Sequence, residues 1–98
     1  MREIRPESDD NPTEVFESTT NSFGGVVVEP ESLPEDPVTF RKRLRRSTDT
    51  WRGEGLRVVW LEVPIGRAPL IPGAVEAGFT FHHAHEGSLM LTYRLAEE

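Results

Sequence analysis

The apolar run Val58-Val59-Trp60-Leu61 constrains the fold of this chain more than any other stretch. β-Branched and aromatic residues favour strands, and a run without a polar member is typical of a strand covered on both faces. We therefore predict a central strand over Arg57–Val63, ended by Pro64 and Gly66. The longer stretch Trp51–Leu95 holds both Trp residues and all three His of the chain.

The segment before this strand is predicted to be an amphipathic helix. Asp36 can cap the free N–H groups of its first turn, and Pro37 suits the first helical position, where its missing N–H is no loss. Gly53 and Gly55 end the helix. Side chains at helical spacing are expected to share its buried face: Phe40, Leu44, Ser47, Thr48 and Trp51.

Upstream of this helix, the sequence predicts one clear strand. The turn signal Phe23-Gly24-Gly25 leads into the β-branched run Val26-Val27-Val28. Thr13–Thr20 is expected as an edge strand or a loop, and the acidic segment Glu29–Asp36 as a loop.

Downstream of the central strand, a second helix is predicted over Arg67–Ala77, with Pro69 in its first turn. Pro72 does not fit this helix unless it also lies within the first turn, where a missing N–H is tolerated. Phe79–His85 and Ser88–Leu95 then predict two strands joined by a two-residue turn. Strict alternation directs His82 to one side of the first strand and four residues to the other: Phe79, Phe81, His83 and His85.

The element order β-α-β-α-β-β predicts a mixed α/β (α+β) fold. The first two strands are linked through a helix, so we expect them to be parallel with a right-handed crossover. The last two form an antiparallel β-hairpin at an edge. We expect a three-layer-like sheet with two helices.

Charge is unevenly distributed along the 98 residues, whose net charge is −6. Residues 1–37 carry ten acids and two bases, whereas residues 38–57 carry seven bases and two acids. The acidic head disfavours nucleic acid as a partner, because such binding depends on neutralising phosphates. Residues 1–12 are polar and acidic, which predicts a disordered N-terminus before a domain over residues 13–98.

Cysteine is missing from the sequence, as are a signal-peptide pattern and any apolar run near the ~20 residues that a bilayer span needs. A cytoplasmic protein without a membrane partner is therefore expected.

The histidines form the only metal-like cluster of the sequence: His82, His83 and His85. Two imidazoles two positions apart on a strand can bind zinc, but no third ligand is evident, so we expect no metal site. The two alternatives are structural, hydrogen-bonded histidines and a contact of His82 and His83 with a ligand or partner.

Five bases occupy six positions in Arg41-Lys42-Arg43-Leu44-Arg45-Arg46. Such a run is typical of a solvated helix face. In the alternative interpretation, Arg41, Arg45 and Arg46 contact RNA, a nucleotide or an acidic partner. The large aromatic residues are expected in the core: Trp51, Trp60, Phe79 and Phe81.

Several motifs occur in one register: Phe23-Gly24-Gly25-Val26-Val27-Val28, Asp36-Pro37, Trp51-Arg52 with Glu54-Gly55, Val59-Trp60-Leu61 with Pro64, and Gly78-Phe79 before Phe81-His82-His83-Ala84. Over about residues 22–95 they resemble the pre-Nudix domain, which precedes the hydrolase domain in animal and plant enzymes of the Nudix-6/7/8 group. The resemblance implies a topology similar to the C-terminal half of the GNAT acetyltransferase fold.

The sequence departs from what these resemblances would need for catalysis. It contains no R-E-x-x-E-E, the metal-binding part of the Nudix box G-x5-E-x7-R-E-x2-E-E-x-G. The pyrophosphate turn of acetyl-CoA-binding GNAT proteins would fall on Glu29–Pro37, which is acidic and rich in proline. His85 stands where relatives of the pre-Nudix group usually have Glu.

We therefore expect no catalytic residues and no cofactor. The first hypothesis is a non-catalytic pre-Nudix-like module that associates with itself as an oligomer, with a Nudix hydrolase domain or with another protein. The second is an N-terminal part of a Nudix hydrolase of nucleoside-diphosphate derivatives, so that the chain is a fragment rather than free-standing. The third is a small-ligand or RNA-binding regulator.

Overall fold

Strand β3 (Val58–Pro64) is the centre of the sheet, as its apolar run predicts. The computed structural model describes residues 15–96. Along the chain the other strands and the α-helices are β1 (Ser18–Thr20), β2 (Gly25–Val28), α1 (Pro37–Gly53), α2 (Ile71–Glu76), β4 (Thr80–His85) and β5 (Ser88–Arg94). Short 3-10 helices cover Pro30–Ser32 and Ile65–Leu70.

The strand order across the sheet is β1-β2-β3-β5-β4. β2 and β3 are parallel, with Val26 opposite Val59, and the other neighbouring pairs are antiparallel. The predicted mixed fold, the parallel pair and the terminal hairpin are confirmed, and Thr13–Thr20 contributes the short edge strand β1. The prediction for residues 1–12 lies outside the described residues.

The core lies on one face of the sheet. Val59, Leu61 and Val63 of β3 are buried, whereas Trp60 and Glu62, which alternate with them, are only half-buried. The inward residues form one cluster with side chains of both helices, among them Phe40, Leu44, Trp51, Leu70 and Ala74. The helices therefore pack on one face of the sheet, and the expectation that β3 is covered on both faces is wrong.

Helix α1 begins where the sequence predicts. The Asp36 carboxylate accepts hydrogen bonds from the Thr39 N–H at 3.1 Å and from the Thr39 hydroxyl at 2.7 Å. These bonds stabilise the charged form and lower the pKa of Asp36 below its usual 3.8. All five residues expected on the inner face are buried, and so is Arg43.

The second helical segment differs from its prediction over Arg67–Ala77. It starts earlier, as the 3-10 helix Ile65–Leu70, and becomes α-helical only from Ile71. The physical reason lies in Pro69 and Pro72, each of which removes a backbone donor. Pro72 lies in the first turn of α2, where that loss is tolerated.

Two of the four aromatic residues expected in the core are not part of it. Trp51 and Phe79 are buried, but Trp60 faces the uncovered side of the sheet and Phe81 is 62% exposed. Phe81 pairs with the buried Leu91 and therefore lies on the helix side. It is exposed because β4 is the outermost strand.

We expect Leu61→Ala to lower the free energy of unfolding by about 3 kcal/mol, because Leu61 is fully buried in the central strand. Phe81→Ala is expected to change it by less than about 1 kcal/mol. Urea unfolding followed by tryptophan fluorescence measures both values. Equal losses in the two variants would contradict the placement of Phe81 outside the core.

Candidate functional site

A β-bulge in β4 decides how the histidines are presented. Phe81 pairs with Leu91 and His83 with Met90, so His82 is an extra residue between two consecutive pairs. Strict alternation fails at this point. His82 and His83 both lie on the uncovered face of the sheet, and the predictions that His82 opposes His83 and that Phe81 shares the side of His83 are wrong.

The three imidazoles continue a row of rings that begins on the central strand. The ring centroids of Trp60 and His82 are 4.9 Å apart, those of His82 and His83 are 6.2 Å apart, and those of His83 and His85 are 4.2 Å apart. The Trp60–His82 and His83–His85 contacts are edge-on. We call the four residues the ring row: Trp60, His82, His83 and His85.

The ring row lies on an exposed surface, and His85 also lines a small hollow beside the hairpin turn. All three histidines are exposed, and a neighbouring carboxylate, Glu62, accepts a hydrogen bond from the Ser88 hydroxyl at 2.8 Å. Among residues 15–96, no group of three or more His, Cys, Asp or Glu side chains could hold a metal ion. The arrangement offers imidazole donors and ring faces to a partner.

The basic residues of the run on α1 do not share one environment. Arg41 and Arg45 line a groove between α1 and α2, and Arg46 does not. Arg43 is buried, with its guanidinium carbon 5.8 Å from the centroid of the Phe16 ring. The interpretation as one uniformly solvated face is therefore wrong for Arg43.

The α1–α2 groove also contains residues that sequence reasoning missed. Its volume is about 440 Å³, and its lining is Arg41, Leu44, Arg45, Thr48, Asp49, Arg52, Gly73, Glu76, Ala77 and Tyr93. The Arg52 guanidinium donates to the Tyr93 hydroxyl at 3.0 Å and, through Nε, to the Leu95 carbonyl at 3.4 Å. Only the spacing of Arg41, Arg45 and Arg52 on one helix flank could have indicated this cluster.

Phe79 and Gly78 pack against the ring of Tyr93 and fix its position. Its ring stacks on Phe79 with centroids 5.1 Å apart and an interplanar angle of 25°. Gly78, at φ +108°, passes so close that an added Cβ would lie 2.8 Å from Tyr93 Cε1. The motif Gly78-Phe79 thus positions the hydroxyl that Arg52 binds.

A larger hollow of about 640 Å³ lies on the other side of α1. Four of its lining residues are acidic: Glu17, Glu31, Glu35 and Asp36. It includes part of the acidic segment Glu29–Pro37, and its carboxylates would repel an anion such as pyrophosphate.

The described helices do not include one that is both long and apolar enough to cross a membrane.

Comparison with known proteins gives the family. The family model described as "Nudix hydrolase domain" matches residues 16–95. The chain belongs to the Nudix hydrolase family, and its resemblance to the pre-Nudix type of domain is confirmed.

Several curated members of this family are similar over most of the chain. Nudix hydrolase 8 of Arabidopsis thaliana is 39% identical over 84 residues, which are 86% of this chain and 23% of that protein. Nudix hydrolase 2 of the same plant is 38% identical over 93 residues, or 95% and 33%. Human nucleoside diphosphate-linked moiety X motif 6 is 39% identical over 79 residues, or 76% and 25%. The chain thus spans about a quarter to a third of the length of these relatives.

We expect equimolar Zn²⁺ to leave the thermal midpoint unchanged, because a stable zinc site needs more ligands than the facing pair His83 and His85 supplies. Differential scanning fluorimetry of the wild type and of His83→Ala makes the measurement. A zinc-dependent rise above about 4 °C that disappears in His83→Ala would contradict this expectation.

Proposed function

We propose that this chain is a non-catalytic module of the Nudix hydrolase family that acts by association through strand β4. The partner is a Nudix hydrolase domain or a second copy of the chain. One observation carries the proposal: β4 is the outermost strand of the sheet, and all six of its residues are exposed.

An outer strand presents a row of unpaired N–H and C=O groups that can accept another strand. Many natural sheets protect such edges with lysine, proline or inward-pointing charge. The sequence Thr80–His85, T-F-H-H-A-H, has no Lys, Arg, Asp, Glu or Pro. These protections are missing from β4, and within residues 15–96 it pairs with no strand other than β5.

The surfaces beside this edge add apolar contact area. Phe81 is exposed on the helix side of the sheet, and the ring row covers the other side. Ile65, at the start of the 3-10 helix, is also largely exposed. Its N–H donates to the carbonyl of Gly87 in the hairpin turn at 2.8 Å, which ties Ile65 to the same end of β4. A partner strand on β4 would cover Phe81 and the neighbouring imidazoles together.

Phe81→Lys is expected to weaken association at least about tenfold, because a charge on an edge strand opposes strand addition. Phe23→Lys is the matched control, since Phe23 is 83% exposed in the turn before β2, away from β4. Sedimentation velocity over a concentration series measures self-association. Biolayer interferometry measures binding to the part of Nudix hydrolase 8 outside the matched region.

The proposal is overturned if wild-type chain stays strictly monomeric and also fails to bind that partner. It is equally overturned if Phe23→Lys and Phe81→Lys weaken binding to the same extent, because the effect would then not depend on β4.

A second candidate function is that the chain forms the N-terminal part of a hydrolase of nucleoside-diphosphate derivatives. It is favoured by the matched relatives, which are Nudix hydrolases several times longer than this chain. Reading the gene beyond Glu98 for a Nudix box decides between a module of such an enzyme and a free-standing protein. A cytoplasmic location and a half-GNAT topology are part of the proposal and stay predictions.

The 98-residue chain itself is expected to hydrolyse no nucleoside-diphosphate derivative in the presence of Mg²⁺. Its sequence lacks the R-E-x-x-E-E carboxylates that hold the metal in a Nudix box. A coupled phosphate-release assay on ADP-ribose tests this expectation. Turnover that co-purifies with the chain and is abolished by EDTA would contradict it.

A further inference from the structure

We propose that the α1–α2 groove binds a phosphate group of a small molecule through Arg45 and Arg41, with Arg52 as a preset anchor. The groove is separate from the β4 edge, so this inference does not depend on the association proposed above. Three guanidinium groups line it, against two carboxylates, Asp49 and Glu76.

The Arg45 guanidinium is available to an incoming anion. Within residues 15–96 the Arg45 side chain makes no hydrogen bond or ion pair, whereas its main-chain carbonyl accepts a hydrogen bond from the Thr48 hydroxyl at 3.1 Å. It follows Arg41 by four positions, so the two Cα atoms are offset by about 6 Å along the helix axis and the side chains share a flank. Guanidinium groups bind phosphate oxygens with paired N–H donors, which makes such a pair of arginines well suited to one phosphate group.

The carboxylates that contact the groove arginines would compete only weakly with a phosphate for these guanidinium groups. Arg41 Nη1 lies 3.3 Å from Glu76 Oε1, and Arg52 Nη1 lies 3.4 Å from Asp49 Oδ1. Both ion pairs are exposed, so water and salt screen them. A doubly charged phosphate can therefore replace these contacts without opening any buried interaction.

The groove is built by close packing that side chains larger than glycine would prevent. Gly73 lies against the Arg41 stem, and an added Cβ would be 2.7 Å from Arg41 Cγ. At the other end, Arg52 is fixed by the Tyr93 hydroxyl and the Leu95 carbonyl. The volume of about 440 Å³ lies in the usual range of small-molecule sites, about 300–1,000 Å³.

The charge of the rest of the chain favours a compact anion over a nucleic acid. The net charge is −6, and the hollow on the other flank of α1 is lined by four acids. A polyanion that extends past the groove would meet these carboxylates, whereas a single phosphate or pyrophosphate group would not.

The test compares Arg45→Ala with Arg46→Ala. Both substitutions remove one charge from adjacent positions of α1, but only Arg45 lines the groove. Sodium phosphate, sodium pyrophosphate and ADP are titrated at constant ionic strength and followed by isothermal calorimetry and amide chemical shifts. We expect Arg45→Ala to weaken pyrophosphate binding at least about tenfold and Arg46→Ala to weaken it less than about twofold.

Glu76→Gln tests whether the phosphate replaces the Glu76 carboxylate at Arg41, and its expected effect is a gain of affinity rather than a loss. It removes the carboxylate that competes for Arg41, and we expect it to tighten pyrophosphate binding, whereas Glu86→Gln in the hairpin turn should not. If ADP and pyrophosphate bind with equal affinity, the groove recognises the phosphate groups alone. If ADP binds more tightly than pyrophosphate, the groove also contacts the nucleoside.

The inference is overturned if none of the three probes shifts the amides of Arg41, Arg45, Gly73 or Tyr93 at about millimolar concentration. It is also overturned if Arg45→Ala and Arg46→Ala lose affinity equally, or if an RNA oligonucleotide binds tighter than pyrophosphate and loses affinity equally in both variants. Circular dichroism checks that each variant is folded. Because all four substituted side chains are exposed, we expect every variant to keep its fold.

Discussion

Burial of one face of β3 is the constraint on which the rest of the structure depends. β3 is paired with β2 on one side and β5 on the other, and Val59, Leu61 and Val63 direct their side chains into the core. Both helices pack on this face, so the opposite face stays open. Because the helices do not extend over β4, this strand is left as an exposed edge of the sheet. The two surfaces with functional potential, the ring row and the α1–α2 groove, both follow from this one-sided arrangement.

The bulge at His82 turns a plain edge strand into a distinctive surface. Without it, alternation would separate His82 from the neighbouring histidines. With it, the ring of His82 contacts Trp60 on the open face, and the row continues to His83 and His85. The exposed edge and the ring row therefore belong to one continuous surface. This continuity favours association through β4 over a metal site as the role of the histidines.

The side chains of helix α1 lie in three different environments. Its inner residues join the core, Arg43 lies buried beside Phe16, and Arg41, Arg45 and Arg52 line the groove with α2. The Phe16 N–H also donates to the buried Ser47 hydroxyl at 2.9 Å, which attaches the segment before β1 to the helix. A basic run that looks uniform in the sequence thus has residues with different roles, and these depend on which flank meets a neighbour.

The sequence alone determined the elements that rest on local chemistry. Asp36-Pro37 sets the start of α1, the run before Pro64 sets β3, and Glu86-Gly87 sets the hairpin, because capping, β-propensity and turn geometry act over a few residues. Its motifs also indicated the family, which the comparisons confirmed.

Only the tertiary structure decided how these elements are covered. A four-residue apolar run predicts burial but not on how many faces, so the sequence cannot show that Trp60 lies on the uncovered face. Nor does the sequence show that Phe81, although on the helix side, lies on an edge strand where it stays exposed. The bulge at His82 reflects how β4 pairs with β5, and the groove joins residues of α1 to Gly73 and Tyr93 far along the chain. Such contacts depend on the packing of distant segments, which no local pattern encodes.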